Sequence, residues 1–276
     1  MNILILGASG FLGGYIYEKV KSQLDFNVMG TCYRSNNCGD LIKLDVSNEE
    51  EVKDIIYKFK PDIILWSLIS RESEKYLIEM GLNNILKYLS HKQKLIFMST
   101  NAVFNGKGNY SEEDNPKYKN SNEPLALYSN AKIDGEKIVK EHDNHIIIRP
   151  GAIYGQDING KWDKRISDLI NKLEEKEEVV RTENLYNTFV KVDELAKAII
   201  ELIKCDYKGI IHLGPEKKES YYNYYRKMAI HLNLDTDLIK SNFIDEEYAA
   251  KNNRSLDLSI NTSKCREVLG DIFSNV

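Results

Sequence analysis

The run Asn2–Leu6 (Asn-Ile-Leu-Ile-Leu) leads without a break into Gly7-Ala8-Ser9-Gly10-Phe11-Leu12-Gly13. A short, continuous apolar run reads as a buried strand, and its three glycines fit G-x-x-G-x-x-G between that strand and a helix. Gly7 permits a tight turn, Gly10 lets backbone approach a pyrophosphate, and Gly13 lets the helix close on the strand. The helix N-terminus, with Ser9, Phe11 and Leu12 around it, adds N–H groups and the positive end of a dipole. The first thirteen residues therefore point to a strand–turn–helix that binds a dinucleotide.

The rest of the N-terminal half repeats that alternation. Strands are expected at Asn27–Cys32, Leu41–Leu44, Asp62–Leu68, Lys94–Met98 and His145–Arg149, with helices at Phe11–Val20, Asn48–Phe59, Glu72–Leu89 and around Tyr128. This predicts an α/β fold, a doubly wound parallel (Rossmann) sheet with helices on both faces. After Pro150 the pattern weakens to a charged helix over Trp162–Glu178, a segment Asn187–Val192, a helix Asp193–Ile203, a strand Gly209–Leu213 and a helix Tyr221–Leu232. The expected organisation is a cofactor domain over 1–150 and a small, irregular α/β C-terminal substrate lobe over 151–276, some of whose segments return to the main domain.

Composition excludes more than it assigns. A chain of 276 residues with 42% hydrophobic and 29% charged residues is ordinary globular usage. A net charge of -4 gives no basic footprint for nucleic acid. No apolar run is long enough to span a membrane, and the N-terminus lacks the basic and small-residue marks of a signal peptide. A cytoplasmic protein is expected. Cys32, Cys38, Cys205 and Cys265 show no C-x-x-C spacing and no histidine clustering, so reduced thiols are expected, with neither a disulfide nor a metal.

Dinucleotide-binding strands of this kind often end in an acid that holds the ribose 2′-OH. Here the second strand ends Thr31-Cys32-Tyr33-Arg34-Ser35, and a guanidinium there suits a 2′-phosphate. This favours NADPH, with NADH as the alternative. Asp45-Val46 after the third strand would lie at the adenine. At the carboxyl end of the fifth strand, Ser99-Thr100-Asn101-Ala102-Val103-Phe104 places a hydroxyl where open α/β sheets bind ligands. Tyr128 and Lys132 follow, one helical turn apart. An ammonium beside a phenol stabilises the phenolate and is expected to lower its pKa. The spacing Tyr-x-x-x-Lys recurs at Tyr15/Lys19, Tyr17/Lys21 and Tyr88/Lys92, but only Tyr128/Lys132 follows both the glycine turn and Thr100. In a ketone reduction Thr100 would polarise the carbonyl and Tyr128 would protonate the alkoxide. Lys132 would tune the tyrosine and hold the nicotinamide ribose.

These pieces resemble the extended short-chain dehydrogenases/reductases, and most closely the dTDP-4-dehydrorhamnose reductase group. The resemblance rests on the glycine turn, Ser99–Phe104, Tyr110-Ser-Glu112-Glu-Asp114-Asn-Pro116 and Tyr128-x-x-x-Lys132-x-x-Gly135-Glu136. It continues through Arg149-Pro150-Gly-Ala-Ile-Tyr154-Gly155, Asn187-Thr188-Phe189-Val190-x-Val-Asp193-x-Leu195-Ala196, Gly209-Ile-Ile-His212-Leu-Gly214 and Arg254-Ser-Leu256-Asp257. It implies a cytosolic, homodimeric, NADPH-using enzyme that reduces a keto group, at C4, of a nucleotide-linked deoxysugar, with a C-terminal lobe gripping the nucleoside diphosphate. It also implies that Ser67 and Leu68 meet the cofactor, and that Asn101, Val103, Phe104, Ala152 and Asn187 meet the substrate.

Departures from the group's pattern sharpen this. Where the group carries Asn-x-Ala-Ala after the fourth strand, this chain has Trp66-Ser67-Leu68-Ile69, expected to add bulk near the cofactor ribose. Asn101 replaces the usual Asp, Tyr128-Ser129-Asn-Ala131-Lys132 replaces Tyr-Gly-x-Ser-Lys, and Ala152 stands where an aromatic residue often meets the sugar. Asn101 and Ala152 argue for a different sugar or base. Asn101-Ala102 also lacks the Asp-Glu pair with which dehydratases eliminate water. A nucleotide-sugar epimerase and a non-catalytic, cofactor-binding regulatory subunit are the competing readings.

Overall fold

The computed structural model describes residues 1–276 apart from 35–37, 71 and 253. In chain order the first elements are β1 (Asn2–Leu6), α1 (Phe11–Lys21), β2 (Asn27–Cys32), β3 (Ile42–Lys43), α2 (Glu49–Phe59), β4 (Ile63–Trp66), α3 (Glu74–Tyr88), β5 (Lys94–Met98), α4 (Pro124–Val139) and β6 (His145–Pro150). There follow β7 (Ala152–Tyr154), α5 (Lys164–Glu174), β8 (Val179–Thr182), β9 (Tyr186–Asn187), β10 (Phe189–Lys191), α6 (Val192–Lys204) and β11 (Gly209–Leu213). The last are β12 (Glu219–Ser220), α7 (Tyr221–His231), β13 (Ile239–Asn242), α8 (Glu246–Lys251) and α9 (Ser263–Leu269). Two compact units result: Met1–Val103 with Lys117–Arg149 and Ala196–Ile211, and Phe104–Pro116 with Pro150–Leu195 and His212–Val276.

The first unit is the expected doubly wound sheet. Its seven strands run β11-β6-β5-β4-β1-β2-β3, and every pair from β6 to β3 is parallel. Chain order reverses at β1, which lies between β2 and β4, and the crevice at that reversal is where open α/β sheets take ligands. Strands β4 and β5 are buried throughout, as strands covered on both faces must be. Local chemistry sets the helix starts: the Asn48 side chain accepts from the N–H groups of Glu50 and Glu51, and Ser73 accepts from Tyr76. Pro124 opens α4, where its missing N–H costs nothing.

Two glycines let bulky side chains pack beneath these helices. Trp66 is fully buried in the core with Ile78, Leu82 and Phe97, and a Cβ at Gly81 would come within 2.6 Å of its ring. Its bulk is therefore absorbed by the core under α3, contrary to the expectation that it crowds the cofactor ribose, while Ile69 is exposed. A Cβ at Gly135 would stand 2.6 Å from the Phe97 ring, so Gly135 allows α4 to settle on β5.

The second unit is built from three two-stranded pairs, β10–β7, β12–β9 and β13–β8. They surround an aromatic core in which Phe189 stacks on Tyr224 at 3.8 Å and Tyr154 meets Tyr224 edge-on at 5.3 Å. Strands of two to four residues carry too little periodicity to stand out, and β7, β8, β12 and β13 were not expected. The charged helix is shorter than the expected span of 162–178: Asp163 caps its start, and Lys176 turns into the left-handed region at φ 61°. Phe104–Pro116 is built into this unit. Phe104 stacks on Tyr110 at 4.3 Å and meets His212 edge-on at 5.6 Å, and Glu112 accepts from the His212 N–H.

One expectation is overturned outright. Cys32 and Cys38 form a disulfide with a Cα separation of 6.1 Å, whereas Cys205 and Cys265 are free thiols. That separation is within ordinary bonding reach, a proximity that a six-residue spacing does not signal. Among the described residues, no helix is long and apolar enough to cross a membrane and no metal-ligating cluster forms.

The α4–β5 contact yields a test. Gly135→Val should force the Phe97 ring out of place and cost about 1–3 kcal/mol, the usual range for overpacking, measured by urea unfolding.

Candidate functional site

Gly7 adopts φ +87°, and Ser67 and Leu68 pack directly behind it, so a Cβ there would lie 3.0 Å from the Ser67 carbonyl oxygen. A Cβ at Gly13 would sit only 2.2 Å from the Gly7 carbonyl oxygen. The turn is closed by Gly10 N–H donating to the Gly7 carbonyl at 2.9 Å, and no side chain caps α1 at Gly10. Ser9 and Gly10 are exposed, Phe11 half-buried and Leu12 buried. Open helix N–H groups over a turn that a single methyl group would fill suit a pyrophosphate.

Arg34 lies at the tip of β2 in a bidentate pair with Glu72, at 2.6 and 2.8 Å, and over the Tyr33 ring at 5.5 Å. The pairing raises the guanidinium pKa and lowers that of Glu72. Ser35, read with Arg34 as a phosphate contact, lies outside the described residues. Asp45 caps its own turn through the Ser47 N–H and hydroxyl, and the buried Val46 accepts from Asn84 through its carbonyl.

The residues expected to transfer a proton gather at the carboxyl end of β5. The Thr100 hydroxyl lies near enough to Tyr128 to favour its phenolate, and Thr100 Oγ1 accepts from the Ala102 N–H at 3.1 Å. Lys132 Nζ lies 5.6 Å from the centre of the Tyr128 ring and 5.0 Å from that of Phe97. It donates to the Leu68 carbonyl at 3.5 Å and pairs with Glu74 Oε1 at 2.9 Å. The expected lowering of the Tyr128 pKa is reversed: burial of the phenol raises it, Lys132 opposes that shift, and Glu74 adds to it. The other three Tyr-x-x-x-Lys copies lack such a setting; Tyr17 and Lys21 share Asp40, and Tyr88 donates to Glu49.

A buried charged network holds this end of the unit together. Arg149 donates through Nε and Nη2 to the two carboxylate oxygens of Glu136 at 2.8 and 2.7 Å, and the Ser99 hydroxyl donates to Glu136 Oε1 at 2.6 Å. It joins β5, α4 and β6. Lys119 was not singled out from the sequence; its buried ammonium donates to the Ala102 carbonyl and to Ser129 Oγ, and burial lowers its pKa. Glu72 and Glu74 were missed as well, because both read as ordinary acids near the start of a helix.

The expected substrate residues fare differently. Asn101 and Val103 are buried in the 3-10 turn that follows Thr100. Phe104 is a core residue of the second unit rather than an accessible wall, because Tyr110 covers its ring. Asn187 is buried and donates to the Tyr221 hydroxyl at 3.3 Å, and Ala152 is half-buried in β7. Also within the second unit, Lys107, Lys218 and Arg254 line a cavity of about 660 Å³ together with Tyr186, Glu246 and Asp257.

The model of the RmlD substrate-binding domain family matches residues 1–274. The chain belongs to this family. Its members are extended short-chain dehydrogenases/reductases, as the motifs imply. Methionine adenosyltransferase 2 subunit beta of Xenopus laevis is 24% identical over 254 residues, covering 86% of this chain and 74% of that protein. dTDP-4-dehydrorhamnose reductase of Shigella flexneri is 24% identical over 242 residues, covering 81% of this chain and 76% of that one. The crystal structure of a hypothetical dTDP-4-dehydrorhamnose reductase from Sulfolobus tokodaii superposes with a TM-score of 0.82 at 25% identity, covering 100% of this chain and 98% of the other. Solved structures of this fold hold NADP or NAD.

The Arg149–Glu136 pair gives the next test. Arg149→Leu leaves Glu136 buried without its partner and should cost about 3–5 kcal/mol in unfolding free energy. Arg149→Leu with Glu136→Leu should recover most of that loss.

Proposed function

We propose that the protein is an NADPH-dependent reductase of a keto group, at C4, on a nucleotide-linked deoxysugar. The observation that carries this is Lys132 Nζ set 5.6 Å from the centre of the Tyr128 ring, with the Thr100 hydroxyl near the phenol, at the carboxyl end of β5. A dinucleotide held by its pyrophosphate at the glycine turn would supply the hydride from its dihydronicotinamide. Thr100 donates to the substrate carbonyl oxygen and polarises it. Tyr128 gives its proton to the same oxygen as the alkoxide forms, and Lys132 balances the charge left on the phenolate.

Support for NADPH comes from Arg34, whose fork already holds a carboxylate in the bidentate geometry that a 2′-phosphate takes. Lys107, Lys218 and Arg254 around the second unit's cavity suit a nucleoside diphosphate, which makes that unit the substrate lobe of this reading and the sheet its cofactor domain. A cytosolic homodimer completes the reading. Exposed Tyr76 and Met80 on α3 and Leu125 and Leu127 on α4 support a partner surface.

A regulatory subunit that binds the cofactor without turnover is the second reading. It is favoured by the similarity to methionine adenosyltransferase 2 subunit beta and by the acids that occupy both Arg34 and Lys132.

Purified protein mixed with NADPH and 4-keto nucleotide sugars separates the two. Tyr128→Phe should slow NADPH oxidation by about 10²–10⁴-fold, the usual contribution of a positioned general acid, with cofactor binding retained. Cofactor bound tightly by the wild-type chain yet oxidised with no candidate sugar would establish the regulatory reading instead. Separately, Arg34→Ala should abolish the preference for NADPH over NADH in a fluorescence titration. An unchanged preference would remove Arg34 from the cofactor site.

A further inference from the structure

We propose that Glu74 is a positioning residue for Lys132, a buried counter-ion that fixes the ammonium beside Tyr128 and offsets its charge. This rests on the reductase reading for its catalytic meaning but not for its geometry.

Lys132 and Glu74 are 2% and 5% exposed and 2.9 Å apart. An ammonium enclosed by the Phe97 ring and the Leu68 carbonyl needs a counter-charge, and Glu74 supplies it. Glu74 is itself held from two sides. It is the first residue of α3, where the helix dipole favours an anion, and its second oxygen accepts from the Ser70 N–H at 2.5 Å. The first turn of α3 therefore decides where the lysine on α4 points.

The pair also sets the charge that Tyr128 feels. Lys132 favours the phenolate, Glu74 disfavours it, and the Thr100 hydroxyl favours it. Of the described residues packed around α4, Phe97 of β5 and Asn101-Ala102-Val103 of the 3-10 turn are not ionisable, and Arg149 of β6 is paired with Glu136. The Lys119 ammonium is engaged with Ser129 and the Ala102 carbonyl. Reduction needs Tyr128 protonated, so a carboxylate that holds the proton on the phenol extends activity towards alkaline pH.

The test places a fluorinated tyrosine at position 128 of the full chain and follows its fluorine resonance against pH, a readout that needs no turnover. Glu74→Gln should move the titration of that residue down by about one pH unit or more. In the unlabelled enzyme, the alkaline limb of the pH–kcat profile should move the same way. A role confined to stability would lower the melting temperature and leave the titration where it was, and that result overturns the proposal. Should Glu74→Gln fail to fold, Glu74→Gln with Lys132→Met removes both charges at once. The titration of the double variant should then lie below that of Lys132→Met alone, because Glu74 no longer raises it; titrations that coincide overturn the offset. If the wild-type protein oxidises NADPH with no sugar, the reductase reading fails alone, and the titration still decides the role of Glu74.

Discussion

The buried Arg149–Glu136–Ser99 network is the interaction on which the rest of the site depends. It ties the end of β5 to α4 and β6 with three hydrogen bonds of 2.6–2.8 Å. Thr100 follows Ser99 directly, and Tyr128 and Lys132 lie on the α4 helix that carries Glu136. The network thus sets the distance between the hydroxyl pair and the sheet edge. Gly135 allows the close approach over Phe97 that brings Glu136 into register. A buried ion pair is weak evidence of stability in itself, and hydrophobic replacements often do as well. Its contribution here is positional: it ties α4, which carries Tyr128 and Lys132, to the strand end that leads into Thr100.

Much of the first unit was legible because its signals are long or chemically specific. The Asn2–Leu6 and Lys94–Met98 runs located strands nearly to the residue, the pattern does weaken after Pro150, and the turn of Gly7 and Gly13 behaves sterically as its spacing implies. The second unit was far less legible. Its strands β9 and β12 have two residues each, too few to carry a periodic pattern, and its core of Phe189, Tyr224 and Tyr154 is assembled from segments far apart in the chain. Phe104 shows the same limit, since its family motif marked it for substrate while its ring packs under Tyr110. The Cys32–Cys38 bond was invisible for a related reason: spacing alone does not report that a strand end and the next turn converge.

The sequence misleads most on charge rather than on fold. Reading Tyr128 beside Lys132 as a phenol with a lowered pKa treats the lysine as an isolated cation. A buried ammonium is rarely left without a counter-ion, and Glu74, fifty-eight positions earlier in the chain, is the anion that completes it. Burial of the phenol then outweighs what remains of the lysine's influence. For a proton donor this direction is the useful one, because a reductase needs the phenol rather than the phenolate in its resting state.

The two cations assigned to the cofactor are both answered by acids from the segment between β4 and the first turn of α3, but on different terms. The Arg34–Glu72 pair stands in solvent, with side chains 64% and 69% exposed, where water and salt screen the attraction and an incoming phosphate can take over the guanidinium at little cost. The Lys132–Glu74 pair is enclosed, and separating it would cost about 3–5 kcal/mol. A dinucleotide can therefore exchange partners at Arg34 but must be added to the Lys132 centre as that centre already stands. Recognition of the cofactor's outer end is thereby open to competition, while the charge balance around the proton donor is fixed by the protein. That division suits a reductase, and it equally lets a subunit bind the cofactor without using it. What separates the two readings is whether a carbonyl can reach Thr100.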